Sequence, residues 1–137
     1  MLTKKDLLGL YDTSAEEICE ILDRAAVMKA SLLKGEKAQK ILEGTALITL
    51  FYENSTRTRT SFELAGKYLG ASEVNISAAS SSVQKGETLI DTGKTLDSMK
   101  IDYIAIRHPM GGAPKLLAKN VHASVINAGD GINEHPT

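Results

Sequence analysis

The chain has 137 residues and nearly balanced charge, sixteen basic against seventeen acidic side chains for a net charge of -1. That size fits one domain and leaves no room for a second full one, and the charge balance argues against a broad nucleic-acid footprint. Hydrophobic content of 42% with 24% charged residues is globular rather than disordered. No apolar run approaches the ~20 residues that cross a bilayer, and the opening MLTKKDLLGLYD lacks the apolar core of a secretory signal, so a cytoplasmic protein without a membrane partner is expected.

The first periodic element covers residues 13–35, where Ile18, Ile21, Leu22, Ala25, Met28 and Leu32 recur at helical spacing as one stripe expected to be buried. Ser14 and Glu17 have capping-box spacing, with Thr13 and Glu16 as an alternative register, and Gly35 is a plausible stop. The single Cys19 falls in this helix and has no partner for an internal disulfide, which suggests an inert core or boundary thiol. After a short charged segment, TALITLFY at 45–52 is a continuous apolar, β-branched run of the kind buried on both faces of a parallel sheet.

From there helices at 56–70, 87–100 and 111–120 alternate with strands at 72–77, 102–107 and 123–128. Strands alternating with helices predict an α/β fold, an open and mostly parallel four-stranded sheet with helices on both faces. The stretch SAASSSVQKGE at 77–87 reads as a long polar loop. The sequence closes on NAGDGINEHPT, just past the fourth strand, where a self-contained doubly wound domain would be expected to continue with another helix.

Ligands of such sheets sit beyond the carboxyl ends of the strands, and there the first strand hands over to ENSTRTRT. A helix beginning at Ser55 would aim its free N–H groups and dipole at one point, with the hydroxyls of Ser55, Thr56 and Thr58 beside them. Arg57 would add a bidentate fork suited to phosphate or carboxylate oxygens. Residues two apart on a helix differ by about 200° around its axis, so Arg57 and Arg59 cannot both face one anion, and Arg57, nearer the helix start, is assigned to the ligand. Capping with solvated arginines would account for one or two hydroxyls but not for the whole run.

Later strands end at the same edge. Arg107 closes the third strand with His108 just beyond it, Asp130 and His135 lie in the Gly-flanked turn after the fourth, and the polar loop supplies Ser81 and Lys85. Taken singly, each has a bland reading as a solvated arginine, a structural histidine or a flexible loop. Their convergence on the Ser55 to Thr58 turn is what gives them weight. His122 precedes a strand and belongs to the opposite edge. There is no GxxxxGK[ST], no GxGxxG after the first strand and no zinc-like ligand spacing.

Assembled in this way, the chain resembles the carbamoyl-phosphate-binding half of the carbamoyltransferases along essentially its whole length. FYENSTRTRTSFE is similar to the family's Ser-Thr-Arg-Thr-Arg signature, and SSVQKGETLIDT, RHP and NAGDGINEHPT follow in order and spacing. The turn is shared with ornithine carbamoyltransferases, while VQKGET and NAGDGINEHPT resemble the aspartate branch.

The resemblance implies a Rossmann-like domain over residues 1–137 that binds carbamoyl phosphate, without metal or organic cofactor, in an enzyme carbamoylating the amine of L-aspartate in de novo pyrimidine biosynthesis. It implies that Ser55, Thr56, Arg57 and Thr58 hold the phosphate, and that Thr58, Arg107 and His135 donate to the carbonyl oxygen as charge develops there. It further implies that Ser81 and Lys85 reach into the site of a neighbouring subunit of a homotrimer, and it leaves open whether regulatory chains join. Family chains are about twice as long, and their second, aspartate-binding domain is absent here, so turnover by this chain alone is expected to be nil or nearly so. Transfer to another amine, and a non-catalytic phosphate-binding module, are the competing readings.

Overall fold

The computed structural model describes residues 3–77 and 86–136. In chain order it contains α1 (Ala15–Leu33), a single 3-10 turn (Lys40–Leu42), β1 (Ala46–Phe51), α2 (Thr56–Leu69), β2 (Ser72–Ser77), α3 (Leu89–Ser98), β3 (Tyr103–His108), α4 (Ala113–Ala118) and β4 (Ser124–Asp130). The four strands are all parallel, in the order β2-β1-β3-β4. The apolar runs occupy the middle of this order for a physical reason. In β1 every residue from Leu47 to Phe51 is buried, and in β3 Ile104, Ala105 and Ile106 are fully so, because helices cover both faces of a central strand. The more polar β2 lies at the edge and leaves Val74 exposed.

Alternation along the strands divides the two faces. Ile48 and Leu50 of β1, Ile104 and Ile106 of β3 and Val125 of β4 form one cluster with Leu96 of α3 and Leu117 of α4. Each of these aliphatic side chains contributes roughly 1.5–3 kcal/mol through burial. On the other face α2 lies over β1, with a Cβ at Gly66 falling 2.9 Å from Leu47 Cδ2. Here a polar chain ties helix to sheet. Asn75 Nδ2 donates to Glu63 Oε1 at 2.8 Å and to Thr49 Oγ1 at 3.0 Å. Since β1 passes to β2 on one side and the chain then crosses to β3 on the other, the sheet has its topological switch point between β1 and β3.

The first helix departs from expectation. The Ser14/Glu17 capping box is formed, yet none of the residues of α1 is buried, Leu22 is 62% exposed, and Cys19 is exposed rather than a core or boundary thiol. Periodicity marks which stripe of a helix is apolar but does not supply an element to cover it. Among the described residues α1 lines a groove with Gln39 and Ile41 and pairs Glu17 with Lys4 at 3.1 Å.

The other differences are matters of length. β3 takes in His108, β4 runs on to Asp130, and α4 has only six residues behind a left-handed Gly112. An unanticipated parallel bridge joins Leu7 to Ile126, where Leu7 N donates to Val125 O at 2.9 Å.

Candidate anion-binding site

The start of α2 differs from the starts of the other long helices. In α1 and α3, Ser14 and Thr88 accept from the N–H three residues on, and Glu17 and Asp91 answer back, so that both helices are capped by their own side chains. In α2, Ser55 occupies the cap position with φ -147° and ψ 85° and makes no side-chain cap hydrogen bond. Among the described residues no hydrogen bond engages the hydroxyls of Ser55, Thr56 or Thr58. The first-turn N–H groups therefore point out with donors around them and no internal acceptor, an arrangement that favours an external anion.

The two arginines divide as helical geometry requires. Arg59 Nε lies 3.5 Å from Glu63 Oε1, one turn along and next to the Asn75 link. Arg57 is exposed and has no hydrogen bond or ion pair among the described residues.

The neighbouring strand brings Arg107 to the same place. Arg107 pairs in register with Phe51, its carbonyl accepts from Tyr52 N at 2.9 Å, and its Nε lies 3.4 Å from Glu53 Oε2, two residues before Ser55. That contact is an ion pair without hydrogen-bond alignment, and the buried Nε has no hydrogen-bond partner. Nη1 donates to Ala128 O at 3.0 Å.

The register between β3 and β4 slips between Ile106 and His108, where a bulge places Gly129 at φ 118°. A Cβ on Gly129 would stand 2.6 Å from Arg107 Nη1 and 3.6 Å from His135 Cδ2. Only a residue without a side chain leaves the Arg107 guanidinium its place over this backbone, with the His135 ring at ordinary contact distance from the same point.

Behind these groups the site is partly dry. The rings of Tyr52 and His108 are 4.6 Å apart at 52°. Burial raises the Tyr52 phenol above its ordinary value, against the lowering influence of the nearby Thr92 hydroxyl and with Glu87 adding to the rise. Burial lowers the His108 imidazole more than Glu53 and Asp130 raise it. The neutral ring accepts from Met110 N at 3.0 Å through Nδ1.

The structure thus brings Arg107 and His135 together beside the chain that leads into Ser55, Thr56, Arg57 and Thr58. Ser81 and Lys85 lie outside the described residues. His122 sits at the opposite edge, paired with Asp97 at 2.7 Å. No group of three or more His, Cys, Asp or Glu is arranged to hold a metal among the described residues. Reasoning from sequence passed over Glu53, although it is the one acidic residue between the apolar strand and the hydroxyl run, and Gly129, whose place between Ala128 and Asp130 was the only hint of a bulge.

Comparison with known proteins bears directly on this geometry. Residues 5–137 match the family model described as aspartate/ornithine carbamoyltransferase, carbamoyl-P binding domain. The chain belongs to the aspartate/ornithine carbamoyltransferase family. Among curated members it is 69% identical over 136 residues to the aspartate carbamoyltransferase catalytic subunit of Ruminiclostridium cellulolyticum, covering 99% of this chain and 44% of that protein. It is 66% identical over 137 residues to the corresponding subunit of Acetivibrio thermocellus, again 44% of the relative's length.

The chain therefore spans less than half of the carbamoyltransferase subunits it matches. Among solved structures, the catalytic subunit of M. jannaschii aspartate transcarbamoylase superposes with a TM-score of 0.87 at 47% identity, covering 97% of this chain and 43% of that one. The Trypanosoma cruzi aspartate transcarbamoylase in complex with aspartate and phosphate gives 0.87 at 36% identity, covering 96% and 40%. The parallel sheet and its crossovers are thus those of the carbamoyltransferase carbamoyl-phosphate domain.

Proposed function

We propose that the chain is the carbamoyl-phosphate-binding half of an aspartate carbamoyltransferase acting in pyrimidine biosynthesis, and that residues 1–137 are one domain whose aspartate-binding counterpart belongs to the full-length protein. The observation that carries this reading is the uncapped start of α2, with unengaged hydroxyls and Arg57, near Arg107 and His135, which both border Gly129. Ser55, Thr56, Arg57 and Thr58 bind the phosphate group. Thr58, Arg107 and His135 donate to the carbonyl oxygen.

The reaction follows from that placement. The α-amine of L-aspartate attacks the carbonyl carbon, its lone pair forming the new C–N bond as the C=O electrons move to oxygen. The anionic oxygen is met by donors already in place, and no reorganisation is needed as charge develops. The intermediate collapses with cleavage of the C–O bond to phosphate, which the cradle receives, and the amine's proton passes to that departing phosphate to yield N-carbamoyl-L-aspartate. A single donor of this kind is worth about 3 kcal/mol, on the order of 100-fold in rate.

In this reading the active assembly is a cytoplasmic homotrimer in which Ser81 and Lys85 complete the site of the adjacent subunit. Binding of regulatory chains is a further partner class. The alone-standing chain binds carbamoyl phosphate without appreciable turnover.

The test is calorimetric titration with inorganic phosphate and with phosphonoacetamide, an analogue in which a methylene replaces the bridging oxygen. Preference for the analogue, lost in Arg107→Ala, supports the reading. Equal affinity for both ligands would leave only a phosphate-binding module.

A further inference from the structure

Asp130 has no part in the chemistry above, yet it is the most heavily engaged carboxylate in the described structure. It is 2% exposed. Its Oδ1 accepts from Asn127 Nδ2 at 3.0 Å and from Glu134 N at 2.9 Å, and its Oδ2 accepts from Gly112 N at 2.7 Å and Asn133 Nδ2 at 3.0 Å. Among the described residues no cation pairs with it. Burial would raise its pKa, but the four donors together outweigh burial and hold it below the ordinary carboxylate range.

Asn127 belongs to β4 itself, and the other three donors come from two loops that the site depends on. Gly112 ends the loop that leaves β3 after Arg107 and His108, and Glu134 immediately precedes His135. The backbone of Asp130 grips the same turn a second time, its N–H donating to Glu134 O at 3.1 Å while its carbonyl accepts from Asn133 N at 3.2 Å. Gly131 N donates to His108 O at 3.0 Å, closing the two loops on each other.

An ordinary turn needs one or two such bonds and tolerates an amide. Four acceptances by one side chain are open only to an ionised carboxylate, since an amide would turn its own NH2 toward one pair of donors. A buried negative charge so close to an anion site is electrostatically unfavourable by itself, so its presence calls for a role that an apolar or amide residue could not fill.

We propose that Asp130 is a positioning residue: by clamping the 109–112 loop to the 131–135 turn it sets His135 against Arg107 for the carbonyl oxygen, leaving the phosphate cradle at α2 untouched. The inference rests on the carbamoyl-phosphate reading and adds to it the residue that makes the site read a carbonyl. A residue that only stabilised the fold would weaken all ligands alike. This one discriminates between them.

Phosphonoacetamide and inorganic phosphate are titrated into the 137-residue chain and into Asp130→Asn. The variant is expected to lose about tenfold in affinity for phosphonoacetamide, on the scale of one displaced charge-assisted hydrogen bond, with less than about twofold change for phosphate. Equal losses for both ligands, or none, overturn the inference while the wild-type preference still stands. A wild-type chain without that preference defeats the carbamoyl-phosphate reading instead. Should Asp130→Asn fail to fold by thermal melting, Asn133→Ala removes one donor from the exposed turn. It is expected to shift the affinity ratio in the same direction by a smaller factor, and an unchanged ratio in that variant overturns the inference equally.

Discussion

Replacing Gly129 by alanine tests how the arginine is held. The residue sits at φ 118°, a region that side-chain-bearing residues rarely enter, and the added Cβ would fall 2.6 Å from Arg107 Nη1 and 3.2 Å from its Cζ. The backbone term alone is of order 1–3 kcal/mol. Taking about 2 kcal/mol, a domain of this size melts roughly 6–10 °C lower.

The steric term falls on the end of a flexible side chain, which retreats by about 1 Å to recover van der Waals distance rather than breaking the sheet. In doing so it leaves the Ala128 carbonyl, 3.0 Å away in the native chain, and its aim toward the ligand. Loss of one charge-assisted hydrogen bond is worth roughly ten- to a hundredfold in affinity. Calorimetry with phosphonoacetamide on wild type, Gly129→Ala, Arg107→Ala and the double variant reads this directly. Arg107→Ala is expected to lose affinity with little loss of stability, and the double variant to bind no more weakly than Arg107→Ala, as coupled neighbours do. If Gly129→Ala binds the analogue within a factor of two of wild type, or if the two losses simply add, Arg107 does not act from over that glycine.

Three other outcomes follow from the same structure. In Gly93→Ala the new Cβ would clash with Leu117 Cδ1 and lie 3.1 Å from Val121 Cγ1, so the buried Leu117 side chain must repack or α3 move off α4. Urea titration should show a loss of about 1–3 kcal/mol. Arg57→Ala is expected to abolish anion binding at unchanged stability. Arg59→Ala, breaking a partly exposed pair with Glu63, should cost less than about 1 kcal/mol and keep the ligand, and calorimetry showing the reverse pattern would exchange the two assignments.

The third concerns pH. Because burial depresses the His108 imidazole below its ordinary 6.5, the unfolded chain takes up that proton first. Its contribution is complete above 6.5 and declines as pH falls toward the lower folded-state value. Urea stability measured across that interval should slope less in His108→Gln than in wild type.

How far the sequence revealed all this depended on whether local pattern or distant partners decided the outcome. The apolar runs ending at Phe51 and Arg107 announced central strands because a residue buried on both faces has no polar position to alternate with. The polar composition of β2 was equally consistent with its edge position. Ser14 and Thr88 proved to be caps and Ser55 did not, although all three are hydroxyl residues at helix starts. What set Ser55 apart in the sequence was the residue three places on, an arginine-flanked threonine in place of a carboxylate.

Tertiary partners were invisible to that kind of reading. The apolar stripe of α1 was correctly located and wrongly buried, since periodicity describes a face and not its neighbour. The Glu53 to Arg107 pair and the bond from Gly112 to Asp130 join residues separated by whole elements. The Gly129 bulge depended on a register slip that neither strand encodes alone.

The most direct measurement is amide NMR of the chain titrated with phosphonoacetamide. The account predicts that the largest shifts fall on the N–H groups of Thr56, Arg57 and Thr58, with the Arg107 guanidinium and the His135 ring following at the same midpoint. Shifts confined to other surfaces, or movement of the α2 amides without Arg107 and His135, would contradict it.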